Sequence, residues 1–242
     1  MLYKYSEIRQ INSKKFKKIH EIMKKFLTTY ALLFLLANIV VAQGKATDPR
    51  KILDAMSKKI SSYTSVSIDF NIVHEDNQNV TTNTESGRIV AKDKDFRKFK
   101  ITMSNSDIYC DGVTKWLYMK DVEEINITSA DFDSDDMNDN PVKFFTVDRK
   151  DMKYSYKQTI TENQKQLDEI DFYPKDRNAA YSIIRLHIEK TTKHPLRIKY
   201  FGKDGNNYTV NVNKITPNLT IDDKTFDFDV KKYPDAEIVD LR

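Results

Sequence analysis

The chain opens its folded part with a period of about four and then changes to a period of two. In "TDPRKILDAMSKKISSY", Ile52, Met56 and Ile60 recur every four residues with Leu53 beside them. That spacing makes one apolar stripe on a helix. Asp48 can cap its start, and Pro49 fits the first helical turn. The pattern then alternates. "TSVSIDFNIV" sets Val66, Ile68, Phe70 and Ile72 against Ser65, Ser67, Asp69 and Asn71, as a half-buried strand requires. "SGRIVAK", "FRKFKITM", "KWLYM" and "EEINIT" follow, then "DMKYSYKQTI", "QLDEIDFYP", "YSIIRLHIEK", "PLRIKYFG" and "NYTVNVNKI". Ten short strands separated by turns predict an antiparallel sheet with one wet face. Between them, "SADFDSDDMNDN" reads as a polar acidic loop and "PVKFFTVD" as a short helix. "GKDGN" is a hairpin turn, and Asp111 with Gly112 bends the chain just before "TKWLYM". The expected architecture is one α+β domain: a large curved antiparallel sheet with helices over one face.

Charge changes the picture by its position. Eight of the 40 Lys/Arg and two of the 36 Asp/Glu fall in residues 1–42, which leaves 32 bases against 34 acids in the rest. The formal +4 therefore belongs to a leader, and nothing favours a nucleic-acid face. From Met23, a possible start, Lys24 and Lys25 precede an apolar run from Phe26 to Val41, with Val40 and Ala42 as small residues before Gln43. This is the layout of a secretory signal cleaved between Ala42 and Gln43. Residues 1–42 are thus read as leader and 43–242 as a single mature domain released into the periplasm. Cys110 is the one cysteine, so no intramolecular disulfide forms.

Candidate chemistry is sparse. Five glycines, at 44, 87, 112, 202 and 205, cannot build a dinucleotide fingerprint or a P-loop. His74, His187 and His194 lack metal-ligand spacing. Asp131, Asp133 and Asp135 match three positions of a calcium loop, but Asp136 stands where Gly is needed and Val142 where Glu is needed. Cys110 has no identifiable base partner, so it reads as a strand cysteine. No catalytic residue, metal or cofactor is expected. What remains is an excess of aromatics on the strands, including Tyr109, Tyr154, Tyr156, Tyr181, Tyr200 and Tyr208. They either fill a core or line an apolar face left open for lipid.

Three segments carry a resemblance. "DGVTKWLYM", "NPVKFF" after the polar loop, and the ending "FDFDVKKYPDAEIVDLR" resemble, in order and spacing, the LolA-like periplasmic lipoprotein carriers. The likeness covers nearly all of residues 46–242. It implies an incompletely closed β-barrel of about eleven strands, with short helices forming a lid over the concave face. It also implies a monomeric chaperone. Such a carrier takes acylated lipoproteins from an inner-membrane lipoprotein-releasing ABC transporter and delivers them to an outer-membrane acceptor. By this matching, Phe70, Phe99, Trp116, Tyr118 and Phe144 are the candidates for the acyl-chain cavity. If Trp116 lines that cavity, its emission shifts blue when an acyl ligand enters. The chain departs from the family at "AKDKDFRKF", where Asp93 and Lys94 replace a basic residue and proline that help hold the lid. Arg97 or Lys92 could supply a donor instead. A lipid- or lipoprotein-sensing module of the same fold is the alternative reading, and an enzyme with an unrecognised site the third.

Overall fold

The computed structural model describes residues 47–132 and 152–242. The leader, the cleavage site, the "PVKFFTVD" helix with Phe144, and the acidic loop beyond Phe132 lie outside the described residues.

The helix forms where the period of four places it. In α1 (Pro49–Ser61), the Asp48 side chain accepts from the Arg50 backbone N–H at 3.0 Å and Pro49 opens the first turn. Leu53, Met56 and Ile60 are buried on one stripe. Among the described residues, twelve strands then build one sheet. The first run is β1 (Ser65–Glu75), β2 (Thr81–Lys92), β3 (Lys98–Met103), β4 (Ser106–Cys110), β5 (Thr114–Met119) and β6 (Glu124–Ser129). The second is β7 (Met152–Glu162), β8 (Lys165–Pro174), β9 (Tyr181–Glu189), β10 (Pro195–Gly202) and β11 (Asn207–Pro217), followed at the C-terminus by β12 (Glu237–Asp240). The spatial order is β12-β6-β5-β4-β3-β2-β1-β11-β10-β9-β8-β7. Two antiparallel meanders are thus joined by the β1–β11 pairing, and only β12 is parallel, to β6. β12 and β7 remain the two ends, so the sheet does not close.

Two of the twelve strands lack a signal among the ten read from the sequence: β4, which is short, and β12. Turn chemistry falls where it is expected. The Asp111 carboxylate accepts from the Val113 and Thr114 N–H groups at 2.8 Å each, and Gly112 sits at φ 99°. In the β10–β11 turn, a Cβ on Gly202 would come within 2.2 Å of the Asn206 carbonyl oxygen.

Register assigns every side chain to a face. The row Ile68–Ile89–Ile101–Ile108–Leu117 crosses β1 to β5 on one side. Its neighbours pack with Leu53, Met56 and Ile60 of α1 into the main core. We call this helix-covered side the inner face. The row Lys100–Tyr109–Trp116–Ile127 crosses β3 to β6 on the outer face. The core thus lies between the inner face and α1, and the alternation along each strand is what sends apolar residues there.

Candidate functional site: an apolar cavity at one end of the inner face

The outer face is covered in two different ways. Over β2–β6, the segment between β11 and β12 crosses the sheet. Lys92 Nζ donates to the Ile221 carbonyl at 2.9 Å and to Asp223 at 2.6 Å, and Lys98 reaches the same carboxylate at 3.1 Å. These two lysines hold the Asp223 carboxyl below its ordinary range. Phe226, in a 3-10 turn over Asp223–Phe226, is fully buried. Phe228 then stacks near Trp116 with ring centroids 6.2 Å apart, meets Tyr109 edge-on at 5.1 Å, and lies parallel to Tyr233 at 5.2 Å. Tyr118 contacts Tyr233 at 4.4 Å. Over β7–β11 the outer face is a ladder of charge pairs. Arg197 grips Glu162 at 2.6 Å, Arg185 bonds both oxygens of Asp171, and His187 Nε2 lies 2.9 Å from Glu169. Burial first, then Arg197, pushes His187 below its ordinary value.

Among the described residues, the inner face is filled at its helix end and open at the other. Tyr63, just after α1, bonds His194 at 2.6 Å and ties the helix end to the β9–β10 turn. At the opposite end, β1, β9, β10 and β11 wall a cavity of about 820 Å³. Ile72, Val210, Tyr200, Tyr208 and Tyr181 supply its apolar side. The register explains their convergence: Ile72 faces Val210, and Tyr208 sits between His74 and Tyr200. Tyr181 meets Tyr200 edge-on at 5.6 Å, and His74 meets Tyr208 at 5.0 Å. Ala179 and Ala180 of the β8–β9 loop close one side. His74, Asn178, Lys203 and Asp204 form a polar rim. A volume of this size, with an apolar wall and several polar groups beside it, falls within the range of small-molecule pockets.

The five residues singled out from sequence separate. Phe70 and Phe99 lie on the inner face, 6% and 0% exposed, inside the filled core. Phe70 leans across Gly87, where a Cβ would approach its ring to 2.4 Å. It precedes cavity-lining Ile72 by one step of the same face. Trp116 and Tyr118 are half-buried on the outer face with Phe228 and Tyr233. Phe144 is outside the described residues. Tyr200 and Tyr208 stand in the sequence only among the strand aromatics that either fill a core or line an open face, and Val210 carries no such signal. The signal that could have found them is the "GKDGN" hairpin, because the pairing Tyr200–Tyr208 follows from its length.

The stretch where the family's latch would fall is unusual in its backbone. Asp93, Asp95 and Phe96 adopt positive φ of 72°, 60° and 52°, a region that non-glycine residues rarely occupy. Asp93 pairs with Lys98 at 3.3 Å. Lys92 is committed to the C-terminal segment, and the Arg97 guanidinium lies 5.3 Å from the Phe132 ring. Among the described residues, neither donor makes a hydrogen bond or ion pair with α1. Cys110 is buried, its Sγ 3.4 Å from the Arg97 carbonyl oxygen, and burial raises its pKa. Among the described residues, no group of three His, Cys, Asp or Glu could hold a metal ion.

A family model described as outer membrane lipoprotein carrier protein LolA matches residues 61–229. The chain belongs to the LolA family. No curated protein matches it. An uncharacterized conserved protein from Thermus thermophilus aligns with TM-score 0.53 and 15% identity, over 80% of this chain and 99% of its own. A putative outer membrane lipoprotein-sorting protein domain from Vibrio parahaemolyticus aligns with TM-score 0.42 and 9% identity, over 73% and 95%. A LolA superfamily protein from Nitrosomonas europaea gives 0.39 and 11%, over 76% and 99%. The Thermus likeness bears on the fold, and the other two are weaker. LolA-family proteins are periplasmic, and the LolA superfamily fold is associated with binding and carrier proteins. In this LolA-family chain, twelve strands form the open, curved half-barrel.

Proposed function

We propose that this protein shields the acyl chains of lipoproteins released from the inner membrane and delivers them across the periplasm to the outer membrane. The observation that carries this reading is the 820 Å³ cavity with its tyrosine and aliphatic wall, in a chain of the LolA family. A carrier needs an apolar recess and no chemistry, because each methylene left in water costs about 0.8 kcal/mol. In this account residues 1–42 are removed after Ala42, and the mature domain from Gln43 is monomeric. An inner-membrane lipoprotein-releasing ABC transporter loads it, and an outer-membrane acceptor unloads it. Phe70 borders the cavity's end of the core, Phe99 lies in the core toward the helix end, and in this account neither meets the ligand.

Depletion of the protein, followed by fractionation of lipoproteins between the two membranes, tests this directly. The expected result is retention of lipoproteins in the inner membrane. Unchanged partition, together with organic extracts of the native protein that contain no acyl chains, would overturn the reading.

A further inference from the structure

We propose that the exit of α1 and the C-terminal segment on the outer face form one cooperative unit that opens and closes together, with the Asp223 carboxylate as its clasp. The unit stands independently of the carrier reading. It is a ring of bonds at the end of the sheet where β1 begins. The Tyr63 N–H donates to the Ile60 carbonyl at 3.0 Å, so the exit continues the last turn of α1. The Thr64 N–H donates to the Asn218 side-chain oxygen at 3.1 Å. The buried Ser65 hydroxyl donates to the Leu219 carbonyl at 2.7 Å, and the Asn218 N–H donates to the Ser65 carbonyl at 2.8 Å. The segment runs on from Asn218 to Asp223, where Lys92 and Lys98 converge at 2.6 Å and 3.1 Å. Lys98 also lies 3.3 Å from Asp93, and the Asp93 N–H donates to the Thr64 carbonyl at 3.3 Å. The ring thus closes through Thr64, Asn218, Asp223, Lys98 and Asp93.

Two joints of the ring sit in a backbone region that is costly for residues other than glycine. Asn218 has φ 57° and Asp93 has φ 72°. Such conformations persist only where surrounding bonds hold them, and here the surrounding bonds are those of the ring. Breaking one joint therefore releases the next. The ring also joins the two faces of the sheet. On the inner side it holds the end of α1, whose Met56 and Ile60 pack into the core. On the outer side it holds the segment that carries the fully buried Phe226. Coupling of this kind is reciprocal, so loosening either side loosens the other. A contact that lifts the C-terminal segment from the outer face thus frees the end of α1 without touching the inner face. The cavity wall at Ile72 and Tyr200 lies at the other end of the inner face, outside the ring.

Hydrogen–deuterium exchange of the purified protein, read by mass spectrometry, measures the opening of each segment. Asp223→Asn keeps the size of the side chain and removes the charge that both lysines hold. Asp223 is exposed, so the fold tolerates the change. The expected result is exchange about two- to fivefold faster over Asp223–Phe226, and faster by the same factor over residues 58–65, with Lys165–Pro174 unchanged. Asn218→Ala breaks the ring at another joint and should speed the same two segments. Tyr63→Phe acts from the helix side by removing the bond to His194, and should speed exchange over Asp223–Phe226. Faster exchange in the C-terminal segment of Asp223→Asn and Asn218→Ala with residues 58–65 unchanged would overturn the joint unit. So would an unchanged C-terminal segment in Tyr63→Phe, or a rise spread evenly over the sheet with Lys165–Pro174 included.

Discussion

The outer face over β4–β6 and the inner face at the end of β1, β10 and β11 are both rich in aromatic rings, and they do opposite things. On the outer face, Tyr109, Trp116 and Tyr118 meet Phe228 and Tyr233 of the C-terminal segment. That surface is satisfied by the chain itself. On the inner face, Tyr181, Tyr200 and Tyr208 line a cavity. The rings are of the same kind, and the strands that carry them alternate in the same way. The difference is what covers them. The Lys92–Asp223 and Lys98–Asp223 pairs anchor a segment across one surface, whereas α1 stops short of covering all of the other. Among the described residues, one aromatic cluster meets side chains of the C-terminal segment and the other borders a cavity.

The largest effect that separates the two regions is on stability. Phe226→Ala should cost about 3–5 kcal/mol, because a fully buried aromatic leaves a cavity behind it. Urea unfolding measures the loss, and the folded variant should bind palmitate as the parent does. Weakened binding in that variant would break the distinction between the faces. Next comes the cavity. Ile72→Asp places a carboxylate against the acyl chains and should weaken palmitate binding at least about tenfold. The partly exposed position makes its stability cost smaller than that of Phe226→Ala.

A pH effect sharpens the comparison with the charged half of the outer face. His187 is held neutral by burial first and Arg197 second, so its folded pKa lies below the unfolded one. The unfolded chain therefore takes up the proton first, from about pH 6.5 downward. His194 shifts the same way, through burial and then Lys59. Stability should be full above about pH 6.5 and fall as pH drops below it. His187→Gln should flatten that fall in urea titrations between about pH 7 and pH 5; an unchanged slope would show that the buried imidazole is not its source. Glu162 shifts down beside Arg197, and so acts at more acidic pH. The smallest expected effect is none. Trp116 faces Phe228, so saturating palmitate should leave its emission maximum in place. A blue shift on saturable binding would place the ligand on the outer face.

The sequence made the frame legible because period and turn chemistry are local. α1 followed from Ile52, Met56 and Ile60, and the sheet from alternation in segments such as Ser65–Glu75. Tyr109 and Cys110 read as strand residues, but β4 could not be delimited as a segment because five residues between two turns offer too little alternation. β12 was missed because its partner, β6, lies far away in the chain, with Glu237 opposite Glu124. The face shared by Trp116 and Tyr118 was legible from their spacing. That the face is the outer one was not, because it depends on where Phe226, Phe228 and Tyr233 come to rest. The cavity was hidden for a related reason. Ile72, Tyr200 and Val210 belong to three strands whose meeting is set by register across β1, β11 and β10.

The central claim is that acyl chains enter the inner face at the end of β1, β10 and β11. Photocrosslinking with a diazirine-bearing palmitic acid, followed by peptide mass spectrometry, locates the chain without relying on activity. Adducts should fall within Ser65–Glu75, Pro195–Gly202 and Asn207–Pro217, concentrated at Ile72, Tyr200, Tyr208 and Val210. Adducts concentrated at Trp116, Tyr118 or Phe228 would contradict the account.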